Sequence, residues 1–247
     1  KGATDRAIRD GMDILEAAFA SGSSKAEALR KAVSAFKSIP VSRQVRPKVA
    51  IVGDLYVRDN DFLNQDLITF LEERGAEAVT MPYTTYARMV AGPYLRKWVH
   101  EGKYLFALSS AAMLAAFRAM EMRYYGIFRE VLDEPEPTFT DNPARILAAF
   151  GLTTRHSGES MDNVLKVHYL SKHYSDIGLL VLVNPAFCCA GLVTEAMADR
   201  IEQVTGIPVA NIVYDGTGGT KNSSLVPVLA HLRSSASRAA DLLGLAG

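Results

Sequence analysis

The sequence predicts an α/β fold: a doubly wound, four-stranded parallel sheet in the order 2-1-3-4, with N-terminal helices and a helical insertion. Three observations carry this. Short β-branched apolar runs recur, as in Val49-Ala50-Ile51-Val52 and Leu179-Leu180-Val181-Leu182, the pattern of strands buried on both faces. Segments with helical spacing separate these runs. A long helical stretch falls between the second and third runs, which reverses the winding of the sheet.

The elements follow in order. Residues 5–20 have the spacing of an amphipathic helix through Ile8, Met12, Leu15 and Ala18, and Ser21-Gly22-Ser23-Ser24 ends it. A second helix is predicted from Lys25 to Phe36, and Pro40 and Pro47 bracket a linker. Val49 to Gly53 is the first strand. A loop over 54–61 leads to a helix over 62–74, with Phe62, Leu67 and Leu71 on its apolar face and Gly75 as its cap. Ala76 to Met81 is the second strand, completing a right-handed βαβ unit. Residues 84–150 read as helix broken at Gly92-Pro93 and around Pro135, Pro137 and Pro143. A helix over 160–173, a strand over 179–183, a helix over 194–204 and a strand over 209–214 follow. The glycine-rich loop Asp215 to Lys221 precedes a last helix over 223–243. The domain reading is an N-terminal helical segment (1–46), a parallel α/β domain (47–83 and 151–247) and the insertion (84–150).

Composition narrows the function classes. Apolar residues make up 49% of the 247, and 27 Lys+Arg balance 27 Asp+Glu, so no basic face for nucleic acid is expected. No apolar run approaches the roughly 18 residues of a membrane span, so no membrane association is expected. The start, Lys1-Gly2-Ala3, has neither an initiator Met nor a signal-peptide core, as expected of a piece of a longer polypeptide or a trimmed chain. The two cysteines are adjacent and cannot staple a fold, which points to a reducing cytoplasm.

In the predicted order the first and third strands are neighbours, and the crevice at their carboxyl ends is the expected ligand site. The loops Gly53 to Arg58 and Asn184 to Cys188 meet there. The starts of the helices after His156-Ser157-Gly158-Glu159 and Asp215-Gly216-Thr217-Gly218-Gly219 lie on the same edge. Cys188 and Cys189 are candidate cluster or metal ligands, or inert buried thiols. His156 and Glu159 are candidate acid/base groups, with helix capping by Ser157 the competing reading. Tyr56 and Arg58, with Asn60 and Asn64, are candidates for holding a polar substrate, or form a solvated loop and a helix cap. Asp215, Gly216, Gly218 and Gly219 are candidates for anion binding through backbone N–H groups, against a plain flexible loop. The segment matches neither a P-loop nor a dinucleotide fingerprint. His168 and His173 read as structural, and the aromatic set Tyr83 to Phe106 reads as helix packing.

The ordered set Pro47-Lys48-Val49-Ala50-Ile51-Val52-Gly53, Asn64, Glu72 to Val79, Ser157-Gly158-Glu159, Asn184-Pro185-Ala186-Phe187-Cys188, Gly206-Ile207-Pro208 and Tyr214-Asp215-Gly216 resembles one family. This is the 2-hydroxyacyl-CoA dehydratase / benzoyl-CoA reductase superfamily, in particular the dehydratase-like portion of the long CoA-substrate-specific enzyme activase-related proteins. The resemblance covers about residues 45–235 and rests on order and spacing. It implies a Rossmann-like fold and a cytoplasmic protein of anaerobic metabolism. The implied chemistry is that of an iron–sulfur, ATP-dependent one-electron system acting on acyl-CoA. Family dehydratases bind a 4Fe–4S cluster through cysteines from several loops and take an electron from an ATP-driven activase. Cys188 matches one such cysteine by position, and Cys189 is a second candidate. The other cluster cysteines and the activase's acidic ATPase signature have no counterpart in this chain. Partners compatible with the resemblance are other segments of a longer chain or a separate activase, a second copy of the chain, and acyl-CoA. The competing expectation is a non-catalytic docking module with buried thiols and no cluster.

Overall fold

The computed structural model of the chain describes residues 2–41, 44–132, 141–153 and 158–242. The chain divides into two compact units, residues 1–43 with 95–137 and residues 44–94 with 138–247.

The first unit is helical. Helix α1 (Ala3–Ala20) and helix α2 (Lys25–Lys37) form an antiparallel hairpin, closed where Gly11 meets Ala32. The Ser24 side chain accepts the Glu27 N–H at the start of α2, a capping arrangement visible in the sequence as Ser-x-x-Glu. Leu29 and Val33 pack against Ile127 of the long helix that ends this unit. Met12, Leu15, Leu29, Val33, Phe36 and Phe128 line an apolar cavity of about 320 Å³.

The second unit is the predicted sheet. Strands β1 (Lys48–Gly53), β2 (Glu77–Val79), β3 (Ile177–Pro185) and β4 (Val209–Tyr214) are all parallel, in the order β2-β1-β3-β4. Residues of β1 and β3 alternate between two cores. Ala50, Val52, Leu180 and Leu182 face one core, and Val49, Ile51, Val181 and Val183 face the other. The first core is completed by helix α8 (Glu159–His173), with α7 (Pro143–Ala149) and α10 (Ala198–Thr205) around it. The second is completed by α4 (Leu67–Glu73) and by α11 (Val226–Leu242) through Leu229. Burial on both faces is why these strands are continuously apolar rather than alternating.

Several boundaries differ from the sequence reading. The loop after β1 contains a one-turn helix, α3 (Leu55–Arg58), capped by Asp54, whose carboxylate accepts the Val57 N–H at 2.8 Å. The next helix starts at Leu67 rather than 62, because Gln65 and Asp66 both take left-handed backbone angles, and Phe62 is exposed. Gly92-Pro93 does not break helix α5 (Tyr83–His100). The helix predicted over 194–204 is two helices, α9 (Cys189–Ala196) and α10, and the last helix opens with a 3-10 turn at Lys221–Leu225.

Among the described residues one helix, α6 (Tyr104–Phe128), is long and apolar enough to cross a membrane by length and composition alone. Its most apolar window has mean hydropathy 1.3, and 6% of that window is buried. Ser109, Ser110, Arg118 and Glu121 interrupt its apolar residues, so no unbroken run marks it in the sequence. Every buried polar side chain among the described residues lies in the second unit, and there the chemistry concentrates.

Candidate functional site

The site forms where β1 and β3 end together. Gly53 closes β1 with φ of 123°, and a Cβ there would collide with the Val183 carbonyl oxygen. Only glycine permits this approach. The Asp54 N–H then donates to the same carbonyl at 2.9 Å, which fixes the Asp54 loop beside the end of β3. On β3 the chain leaves through Pro185 and Phe187 to Cys188, the N-cap of α9, whose Sγ accepts the Gly191 N–H at 3.4 Å. Gly191 is constrained as well, since a Cβ would meet the Asn184 side chain at 2.6 Å. The third contributor is Glu159, the first residue of α8. Ligand atoms of Asp54, Glu159 and Cys188 lie within 4.8 Å of one another, and all three residues are half-buried. A triad of one thiol and two carboxyls at metal-binding distance therefore sits at the predicted switch point.

Beneath it, α8 carries polar residues into the core. Lys166 is fully buried and donates to the Gly53 carbonyl at 3.0 Å and to Asn163 Oδ1 at 3.1 Å, with its ammonium 4.7 Å from the centre of the Tyr86 ring. Burial, then the nearby Arg58 charge, pull its pKa down to about 8, against the carboxyls of Glu159, Asp162 and Asp54. Asp162 is 2% exposed and accepts the Tyr86 hydroxyl at 3.1 Å. Burial pushes its carboxyl up to about 6, with Glu159 adding to the rise and Tyr86 and Lys166 opposing it. Tyr86 is itself raised, by burial and then by Asp162. Asn163 donates to Thr194 Oγ1 at 3.3 Å, which ties α8 to α9.

Arg58 is buried too. Its Nε and Nη2 donate to the two Asp59 oxygens at 2.8 and 2.6 Å. Burial acts to raise the Asp59 carboxyl, but hydrogen bonds from Arg58 and Tyr83 outweigh it and hold the group below its ordinary value. Arg58 Nη1, Asp162 Oδ1, Asn184 Oδ1 and Asn211 Oδ1 are buried with no hydrogen-bond partner among the described residues. Such orphans are rare in folded proteins.

The structure thus brings Cys188 and Glu159 together, as the topology requires. His156 lies outside the described residues. Cys189 is exposed and Cys188 half-buried, so the expectation of two buried thiols is corrected: the turn into α9 leaves both at its solvent edge. Arg58 is locked under the rim by Asp59, whereas Tyr56 is 68% exposed. Asp215 closes its own turn, accepting from Thr217 and from Lys221 at 2.9 Å, and these partners hold its carboxyl far below the ordinary range. The adjoining Gly216, Gly218 and Gly219 are exposed, and the Gly219 carbonyl accepts from Gln65 at 3.0 Å. That loop is bonded to the segment before α4, not to the Cys188 turn. The sequence reading missed Asp54, Asp162, Asn163 and Lys166. With Glu159, the last three have i, i+3, i+4, i+7 spacing, a polar stripe that could have been read along one helix face.

Comparison with family models, with curated proteins and with solved structures found no match.

Proposed function

We propose that the α/β unit is a dehydratase-like domain of the 2-hydroxyacyl-CoA dehydratase / benzoyl-CoA reductase type. On this reading it is a lyase or reductase component of an iron–sulfur, ATP-dependent one-electron system acting on acyl-CoA in the cytoplasm. The observation that carries the reading is the meeting of Asp54, Glu159 and Cys188 at the switch point, above buried Lys166 and Arg58. Ligands of open parallel sheets bind there. Two of the ordered segments that resemble the family supply Glu159 and Cys188 to this rim.

The roles of the chain's own groups follow from their environment. The Lys166 ammonium, in a low-dielectric setting, offsets negative charge that develops on a thioester oxygen at the rim. Asp162, with its carboxyl near 6, is placed to hold or pass a proton. Electrons come from an activase or from other segments of a longer chain.

The donor set does not complete a cubane. A 4Fe–4S cluster takes about four ligands, commonly thiolates on separate irons. Here one thiol and two carboxyls converge on a single point, and Cys189 is the exposed neighbour of Cys188. Any such cluster needs ligands from another segment.

The test is calorimetric titration of the full chain with a 2-hydroxyacyl-CoA and, separately, with free CoA. Saturable binding that favours the thioester and weakens in Glu159→Gln supports the reading. Absence of binding to both overturns it, as does equal binding that ignores the substitution.

A further inference from the structure

We propose that Asp54, Glu159 and Cys188 are the ligands of one divalent transition-metal ion of the zinc or iron(II) class, a mononuclear site rather than a fragment of a cubane. The proposal deepens the reading above, and it rests on the rim between β1 and β3 being the functional site.

Three ligands arrive from three elements whose positions are fixed independently. Asp54 is held by its backbone bond to Val183 and by its cap on α3 through Oδ1, which leaves Oδ2 for an ion. Cys188 is held as the cap of α9, and Glu159 as the first residue of α8. Their donor atoms lie within 4.8 Å of one another. Metal–sulfur bonds of about 2.3 Å and metal–oxygen bonds of about 2.0–2.2 Å span donors roughly 3.5 Å apart, so small side-chain rotations close the site. Three protein ligands leave a fourth position for water or a substrate oxygen, the pattern of catalytic rather than structural sites. The thiol selects against magnesium and calcium, which prefer all-oxygen shells.

An independent observation points the same way. Asp162 is 2% exposed, and its Oδ1 has no partner among the described residues. It stands one turn along α8 from Glu159, on the same face, and the two carboxyls act on each other electrostatically. Asn184, 4% exposed and likewise unpartnered at Oδ1, stands on the α8 face of β3 under the first turn of α9. The charges are unbalanced as well. Among the described residues, four carboxyls (Asp54, Asp59, Glu159, Asp162) lie in or beneath the rim with two cationic side chains (Arg58, Lys166). A dication offsets that excess and orients the outer carboxyl and amide, as it does for the polar groups that back metal ligands elsewhere.

Cobalt(II) is the probe, titrated into the full chain stripped of metal under anaerobic, reducing conditions. The expected result is one cobalt per chain with a near-ultraviolet thiolate-to-metal charge-transfer band. Cys188→Ser removes the band, and serine still caps α9, so the fold is kept. Asp54→Asn preserves its cap and, like Glu159→Gln, weakens binding by roughly tenfold or more. Cys189→Ser changes nothing. The proposal is overturned if excess cobalt gives no such band, or if Cys189→Ser removes it as Cys188→Ser does. It is also overturned if reconstitution with iron and sulfide loads a multi-iron cluster through Cys188. Cobalt binding without any acyl-CoA binding leaves the metal site standing and removes the acyl-CoA reading. The reverse outcome does the opposite.

Discussion

The two faces of the one sheet treat buried polar groups in opposite ways. On the face that carries α4 and α11, every amide of the Asn64–Asn222 knot is used. Asn64 donates to the carbonyls of Val57 and Arg58 and accepts from Leu67 N–H. Asn222 donates to the carbonyls of Asn64 and Gln65 and accepts from the Tyr214 hydroxyl at 2.7 Å. On the face that carries α8, Asp162, Asn184 and Asn211 keep unpartnered oxygens, a lysine is fully buried, and a carboxyl is held near 6. Fully satisfied networks fix a fold, whereas orphaned and desolvated groups persist where another demand is placed on them. The first face is architecture, and the second is the one suited to a ligand.

Gly53 joins the two faces, and its substitution gives the largest expected effect. Gly53→Ala drives a Cβ into the Val183 carbonyl, where the neighbouring atoms are all backbone and no flexible group can yield. A loss of about 4 kcal/mol or more is expected in urea unfolding, with both cores loosened together. A loss under about 1 kcal/mol would mean that β1 and β3 are not held this closely.

On the satisfied face, Asn64→Ala strands the Arg58 carbonyl and the Leu67 N–H inside the protein and leaves the Val57 carbonyl only backbone bonds, that from the Asn60 N–H being long at 3.5 Å. At about 1–3 kcal/mol for each unmet buried group, partly relieved by water entry, the expected loss is roughly 3 to 4 kcal/mol. Circular dichroism melts measure it, and a near-neutral result would erase the contrast between the faces.

Strand β4 spans Val209–Tyr214 as read from the sequence, and the sheet order follows from the insertion, because both rest on long-range rules that short apolar runs satisfy. The rim was legible through the same topology, which put Cys188 and Glu159 on one edge. The stripe that holds Lys166 and Asp162 could be read, but not its inward orientation, because a helix with charges every third or fourth residue normally turns them to solvent. Helix α8 is covered on several sides, by the sheet, α7, α9 and α10, and only the packed structure shows its polar stripe facing inward. Phe62 is the converse case, an apolar residue in helical spacing left 92% exposed by the left-handed turn at Gln65 and Asp66.

On the α8 face the signature is a pH dependence. Lys166 titrates at about 8 when folded and near its ordinary 10.5 when unfolded. Between those values the unfolded chain binds more protons, so the contribution of Lys166 to stability rises with pH through that window and is constant below it. A shift of this size corresponds to about 3 kcal/mol. Lys166→Met should remove the rise, read as the difference between wild-type and variant urea midpoints from about pH 7 to 10.5. Parallel profiles would show that the ammonium is not desolvated.

The smallest effect is the most discriminating, because its sign is reversed. Asp162 keeps its proton to about 6 in the folded state and to about 3.8 when unfolded. The contribution of Asp162 to stability is therefore greatest below about 4, falls as pH rises to about 6, and is level above that. An asparagine in its place cannot ionise, yet the amide oxygen can still accept the Tyr86 hydroxyl that Asp162 now accepts. Asp162→Asn is accordingly expected to remove that fall and to be more stable than the wild type at neutral pH by up to about 3 kcal/mol. A gain on this face, beside a loss on removing Asn64 from the other, is the pattern of a group retained at a cost to stability for what it does at the rim. If Asp162→Asn destabilises the protein at neutral pH, the carboxylate is a structural partner of Lys166, and the two faces differ only in degree.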